Sequence, residues 1–178
     1  LDTDQQQDSH ASTISDPVMS FYHPQDFRIS PSGGCWTADI TDAWKCIRLE
    51  FSEIQSERLV DFTPEQMYKP GYECFPLYEG GSPIHDNCEC APCTAALVGE
   101  VPGITAAHFE VINPASHIIP EWPPEDERMM HFVLGLITPM NCVTRLGDTM
   151  CPLIQGGCFI YDSESRGEAW NLSEKITC

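Results

Sequence analysis

Basic residues are scarce in this chain. Nine Lys and Arg stand against 27 Asp and Glu among 178 residues, a formal net charge of −18. A surface of that sign repels polyanions, which excludes nucleic acid and anionic lipid as partners and favours neutral or cationic ones. Long apolar runs are also missing. The stretch His131-Phe-Val-Leu-Gly-Leu-Ile-Thr-Pro is one strand long, far short of the roughly 20 residues a membrane-spanning helix needs. No membrane partner is expected. The opening Leu1-Asp-Thr-Asp-Gln-Gln-Gln-Asp has neither the basic start nor the apolar segment of a secretion signal. The chain is therefore read as the mature form of an exported protein. A Gly-x-Ser-x-Gly nucleophile elbow is absent, and no internal repeat is visible.

Cysteine, by contrast, is abundant. Ten residues (Cys35, Cys46, Cys74, Cys88, Cys90, Cys93, Cys142, Cys151, Cys158 and Cys178) make an even set. Two lobes of about 75 residues each would have marginal cores, and disulfides are the usual remedy. Five bridges in a secreted, extracellular protein are expected, with the pairing left open. A reduced zinc protein is the alternative, but only Cys90 and Cys93 have the Cys-x-x-Cys spacing.

The fold class expected is α+β and β-rich, stapled, in two small lobes. Residues 1–30 read as a mobile polar extension, 31–100 as a helix-plus-strands lobe, and 101–178 as a β-sandwich-like lobe. Trp36, Ile40, Ala43, Trp44 and Ile47 recur at helical spacing, which predicts a helix over 36–49. Cys35 and Cys46 fall on one side of it but about 16 Å apart, so each must reach a different partner. Arg58–Phe62 reads as a short strand, and Thr63-Pro-Glu-Gln as a capped helical turn. Tyr72 to Tyr78 alternates as a strand whose prolines suggest an edge. Gly80-Gly81 marks a turn. Ala107–Ile112 and His131–Ile137 read as strands, and the proline-rich 113–127 as a loop.

Several constellations resemble sites. His85-Asp86 beside Cys88 is similar to the His-Asp pair of secreted phospholipases A2, without their paired cysteines or calcium loop. His85, Cys88, Cys90 and Cys93 could ligate zinc, although an exported protein would oxidise those thiols. Glu121, Glu125, Asp126 and Glu127 beside Trp122 could serve glycoside hydrolysis if held across a cleft. Asn171-Leu172-Ser173 is an N-glycosylation pattern. None is complete enough to assign as catalytic, cofactor-binding or metal-ligating, and no cofactor is expected.

In its polar leader, even cysteine set and acidity, the chain resembles the small cysteine-rich effectors of plant-associated fungi. The segment from Gly34-Cys35-Trp36 through Cys46-Ile47 to Cys93 is similar to the first lobe of the dual-domain effectors of wilt fungi. That resemblance implies a non-enzymatic protein that binds a host or other extracellular protein, in a class of which some members are recognised by host immune receptors; a monomer is expected. Loops 82–87 and 116–127 would form its binding surface. The competing expectations are a small secreted hydrolase using carboxylates or His85, and a protease-inhibitor-like protein.

Overall fold

The computed structural model describes residues 36–54, 71–118, 129–162 and 167–178. The leader, Cys35, the 55–70 segment and the acidic stretch Glu121 to Glu127 lie outside those residues. So do the expectations that fall on them. Strands outnumber helices and all named pairings are antiparallel, as the α+β, β-rich reading requires. No described helix is long and apolar enough to cross a membrane.

The helical layer comes first. Helix α1 spans Trp36–Asp42 and α2 spans Trp44–Ile54. They are nearly one helix, since Ala43 N–H bonds the Asp39 carbonyl and Ile47 N–H bonds that of Ala43. Thr41 Oγ1 donates to the Thr37 carbonyl at 2.6 Å, a back-bond of the kind that bends helices. The apolar face is longer than the expected 36–49. Ile40, Ile47, Phe51 and Ile54 are all buried. Trp44 lies against Gly156, where a Cβ would fall 2.9 Å from the indole and φ is +74°.

Helices α3 (His85–Cys88) and α4 (Pro92–Gly99) occupy the segment read as a disulfide cluster. Pro92 suits the first helical position because its missing N–H is not needed there. Ala91 gives α4 no side-chain cap. Glu50 supplies it from α2: Oε1 accepts from Cys93 N–H at 2.7 Å, and Oε2 from Thr94 N–H at 2.9 Å and Thr94 Oγ1 at 2.6 Å. A carboxylate at a helix N-terminus is favoured by both the free N–H groups and the helix dipole. Glu50→Ala should cost about 2–3 kcal/mol. That would lower the melting temperature by about 5–10 °C, measurable by calorimetry.

Under these helices lies the first sheet, with β1 (Tyr72–Glu79) between β2 (Ser82–Pro83) and β3 (Ala107–Ile112). The edge position expected for β1 is thus corrected. Its Pro76 is accommodated by a register shift between Pro76 and Tyr78. Gly80 and Gly81, at φ +55° and +78°, make the two-residue turn to β2, a geometry that glycine adopts without strain. β1 and β3 pair across the lobe boundary expected near residue 100.

Two further sheets follow. β5 (Met130–Leu134) pairs β8 (Cys158–Asp162). β4 (Ser116–Ile118), β9 (Gly167–Asn171), β6 (Cys142–Leu146) and β7 (Thr149–Pro152) form the other, in that order. The C-terminal residues stitch the first two sheets together. Thr177 bridges Ile112, and Cys178 exchanges backbone hydrogen bonds with Ile137.

The core sits between the helices and this joined sheet. Phe75 and Leu77 of β1, and Phe109 and Val111 of β3, pack on Ile40, Ile47, Phe51 and Ile54, with Phe132 and Leu134 of β5 beside them. Phe51 meets Phe109 at 5.4 Å between ring centroids, and Trp36 meets Phe132 at 5.4 Å. Full burial of each such side chain stabilises by about 1.5–3 kcal/mol.

Candidate active site

Successive side chains of a strand point to opposite faces. With Phe75, Phe109, Val111, Phe132 and Leu134 committed to the helices, the alternate residues turn away from them. Those are Tyr72 and Cys74 on β1, His108 and Glu110 on β3, and His131 on β5. Tyr161 of β8 joins them, stacked on His131 at 4.7 Å and 14°. The face away from the helices is therefore rich in titratable groups.

Glu110 is its electrostatic centre. The Tyr72 hydroxyl donates to it, and His108 Nε2 lies 3.8 Å from its Oε2. Burial, then the charge of Glu110, holds the Tyr72 phenol protonated far beyond its usual range. The same two causes push Tyr161 up to about 12. Burial, with Glu110 and Glu79, pushes Cys74 to about 12. For His108, burial works to lower the pKa, but hydrogen bonding and charge from Glu110, with Glu79, outweigh it and leave it raised. His131 goes the other way: burial dominates and lowers it. The two imidazoles on one face thus differ, one biased toward the cation and one toward neutrality.

A second polar group lies on the four-stranded sheet. Glu168 receives Arg145 and, at 3.1 Å, His117, which stacks on Trp170 at 4.9 Å. Bonding from Arg145, aided by His117, holds the Glu168 carboxyl below its usual range. Its residues pair with one another on a half-buried surface, and Arg145 Nε is buried there without a hydrogen-bond partner among the described residues.

The residues singled out from the sequence are placed as follows. His85 and Asp86 begin the short helix α3. Cys88 donates to the Leu77 carbonyl and Cys90 to that of Asp86, so His85, Cys88, Cys90 and Cys93 are not gathered as a zinc set. Among the described residues, the ligating atoms that do lie within 4.8 Å of one another are those of Cys46, Glu50 and Cys93. Cys142 is buried, its sulfur 2.7 Å from Thr177 Oγ1 and 3.3 Å from Asn171 Oδ1. Cys158 Sγ lies 3.4 Å from Thr41 Oγ1. Cys74 and Cys178 are enclosed by protein, and burial raises both thiols, as it does that of Cys151. The Asn171 side chain is fully buried, and its nitrogen donates to the Ile112 and Lys175 carbonyls. In the folded chain that nitrogen is not available to a glycan.

Residues 41–176 match the family model for aspartyl/asparaginyl beta-hydroxylases. The chain belongs to that family. It is also 27% identical over 151 residues to an ornithine lipid ester-linked acyl 2-hydroxylase of Rhizobium tropici. The match covers 79% of this chain and 53% of that protein, so the chain spans about half the length of this curated relative.

These findings overturn the reading of the chain as a non-enzymatic fungal effector and the hydrolase reading beside it. The physical reason is that cysteine count and acidity report how a chain is kept folded and dissolved, not what it catalyses. The titratable face was missed because its members come from positions 72, 108, 110, 131 and 161, with no contiguous motif. A signal was present in Ala107-His-Phe-Glu-Val-Ile: the residues alternating with the core-facing Phe109 and Val111 are an imidazole and a carboxylate.

Proposed function

We propose that the chain hydroxylates a methylene carbon adjacent to a carbonyl group, with the substrate held against the Tyr72–His108–Glu110–His131–Tyr161 face. The observation that carries this is the family match over 41–176, which spans every strand of that face. The two named activities share one chemistry. The β-carbon of Asp or Asn is next to the side-chain carbonyl, and the 2-position of an ester-linked acyl chain is next to the ester carbonyl. A substrate of either kind presents an acceptor oxygen two bonds from the reacting carbon, on the adjoining carbonyl carbon. His108, biased toward its cation, and the protonated Tyr161 hydroxyl are suitable donors to that oxygen. His131, biased toward neutrality, packs beside them without adding charge.

Hydroxylation puts one atom of O2 into a C–H bond and reduces the other to water with two electrons and two protons. Amino-acid side chains cannot supply that chemistry, so a group that activates oxygen is required. Non-haem iron on two histidines and one carboxylate is one such centre. His108, His131 and Glu110 have that composition, but their ligating atoms do not form a group within 4.8 Å. The described residues do not assemble such a centre. What they provide is binding, orientation and a fixed proton inventory.

The test is a panel of acyl esters and Asp- or Asn-containing peptides, incubated with the protein, O2, a reductant and first-row metal ions. The expected product carries one added oxygen on the carbon beside the carbonyl. Product on no substrate under any metal would overturn the proposal.

A further inference from the structure

We propose that Cys46 and Cys93 are oxidised to a disulfide that staples helix α2 to the first turn of α4. Their sulfurs, with a Glu50 oxygen, lie within 4.8 Å of one another. The backbone that carries them is already fixed. Cys93 N–H is anchored to Glu50, one helical turn after Cys46 on the same helix, so little movement is needed to reach bonding distance.

A metal ion is the competing use of these three side chains, and the hydrogen bonding argues against it. Both Glu50 oxygens already accept bonds from the α4 N-terminus. A cation there would have to displace that cap or settle for two thiolates. The Cys93 thiol is held protonated: its interaction with Cys46, then burial and the Glu50 charge, raises it. Since the thiolate is the nucleophile in exchange, Cys93 is a poor attacking group. Once formed, the bridge acts as a staple, with no features of a catalytic redox couple.

The reaction is thiol–disulfide exchange with a small-molecule disulfide such as oxidised glutathione. Cys46 and Cys93 give up two electrons and two protons as their S–S bond forms. The oxidant's S–S bond breaks and leaves as two thiols. The bridge closes the chain between residues 46 and 93, a loop long enough for a substantial loss of unfolded-state entropy. It also locks the helical layer that covers one side of the sheet whose other side carries the titratable face.

The experiment uses the full chain equilibrated in glutathione buffers of increasing oxidised fraction. Free thiols are then alkylated, and the protein is digested without reductant for mass spectrometry. A crosslinked peptide pair containing Cys46 and Cys93 is expected. Oxidation should raise the melting temperature by about 5–15 °C. Cys46→Ser and Cys93→Ser should each abolish that rise, and the double variant should behave like either single one. Cys46 is exposed, so its serine variant is expected to fold. Cys93 crosslinked to a different cysteine would overturn the proposal. So would stoichiometric zinc binding that protects both thiols from alkylation, or an oxidation-linked rise that survives in Cys46→Ser.

Discussion

Asn171→Ala should destabilise the protein by about 3–5 kcal/mol and lower its melting temperature by about 10–15 °C. Asn171 is fully buried and ties three parts of the chain together. Its nitrogen donates to the Ile112 carbonyl at 2.8 Å and the Lys175 carbonyl at 2.7 Å. Its oxygen accepts from Ser173 N–H at 3.0 Å, Ser173 Oγ at 2.6 Å and Cys142 Sγ at 3.3 Å. Alanine removes all five bonds and leaves a void at the join between β9, β3 and the C-terminal residues. Each buried hydrogen bond is worth about 1 kcal/mol, and groups left unsatisfied cost more. Asn171→Asp separates volume from donation: it preserves size and the acceptor but cannot donate to either carbonyl when ionised. It should therefore still cost most of the effect. The exposed neighbour Leu172 is the control, and Leu172→Ala should change little. Chemical denaturation with an unchanged slope would attribute the loss to the native state.

The second large effect is on activity. Glu110→Gln should reduce turnover by on the order of 10²-fold, the range expected when one preorganised electrostatic partner is removed. Glu110 accepts the Tyr72 hydroxyl and faces His108. Glutamine keeps the shape but not the charge. The pH profile gives the sharper reading. His108 is raised in the folded state by Glu110 and Glu79, so its cation is present below the ordinary imidazole pKa and is lost as pH rises through the raised folded value. If the cation is the donor to the substrate carbonyl, activity falls along that same alkaline limb. Removing the Glu110 charge should shift the limb to lower pH. A drop in turnover with the limb unmoved would assign Glu110 a packing role only.

The helical layer and the strands were largely legible in the sequence because each announces itself over a short span. Ile40, Ala43 and Ile47 define the helix by their spacing, and Phe51 and Ile54 continue the same pattern past Leu49, an exposed leucine that marks no boundary. Tyr72–Glu79 and Ala107–Ile112 follow period-two alternation, and the apolar run His131–Ile137 overlaps β5, which spans Met130–Leu134. Cys88–Cys93 was harder. Cysteine and proline suggested a stapled loop, whereas Pro92 begins a helix whose cap comes from Glu50, 42 residues earlier. No local rule reveals a cap supplied from that distance. The titratable face had the same difficulty on a larger scale. Its residues are neighbours only after β1 pairs β3, and after the C-terminal residues join β3 to the segment that follows β5. The central position of β1 likewise depends on that pairing and not on its own prolines.

The most direct test of hydroxylation by this chain is the source of the oxygen atom. The intact protein is incubated with a turned-over acyl ester or peptide under 18O2 in ordinary water, and the product is analysed by mass spectrometry. The prediction is one 18O on the carbon beside the carbonyl, with Glu110→Gln giving the same labelled product more slowly. Product carrying oxygen from water, or labelled product formed equally fast by Glu110→Gln, would contradict the account.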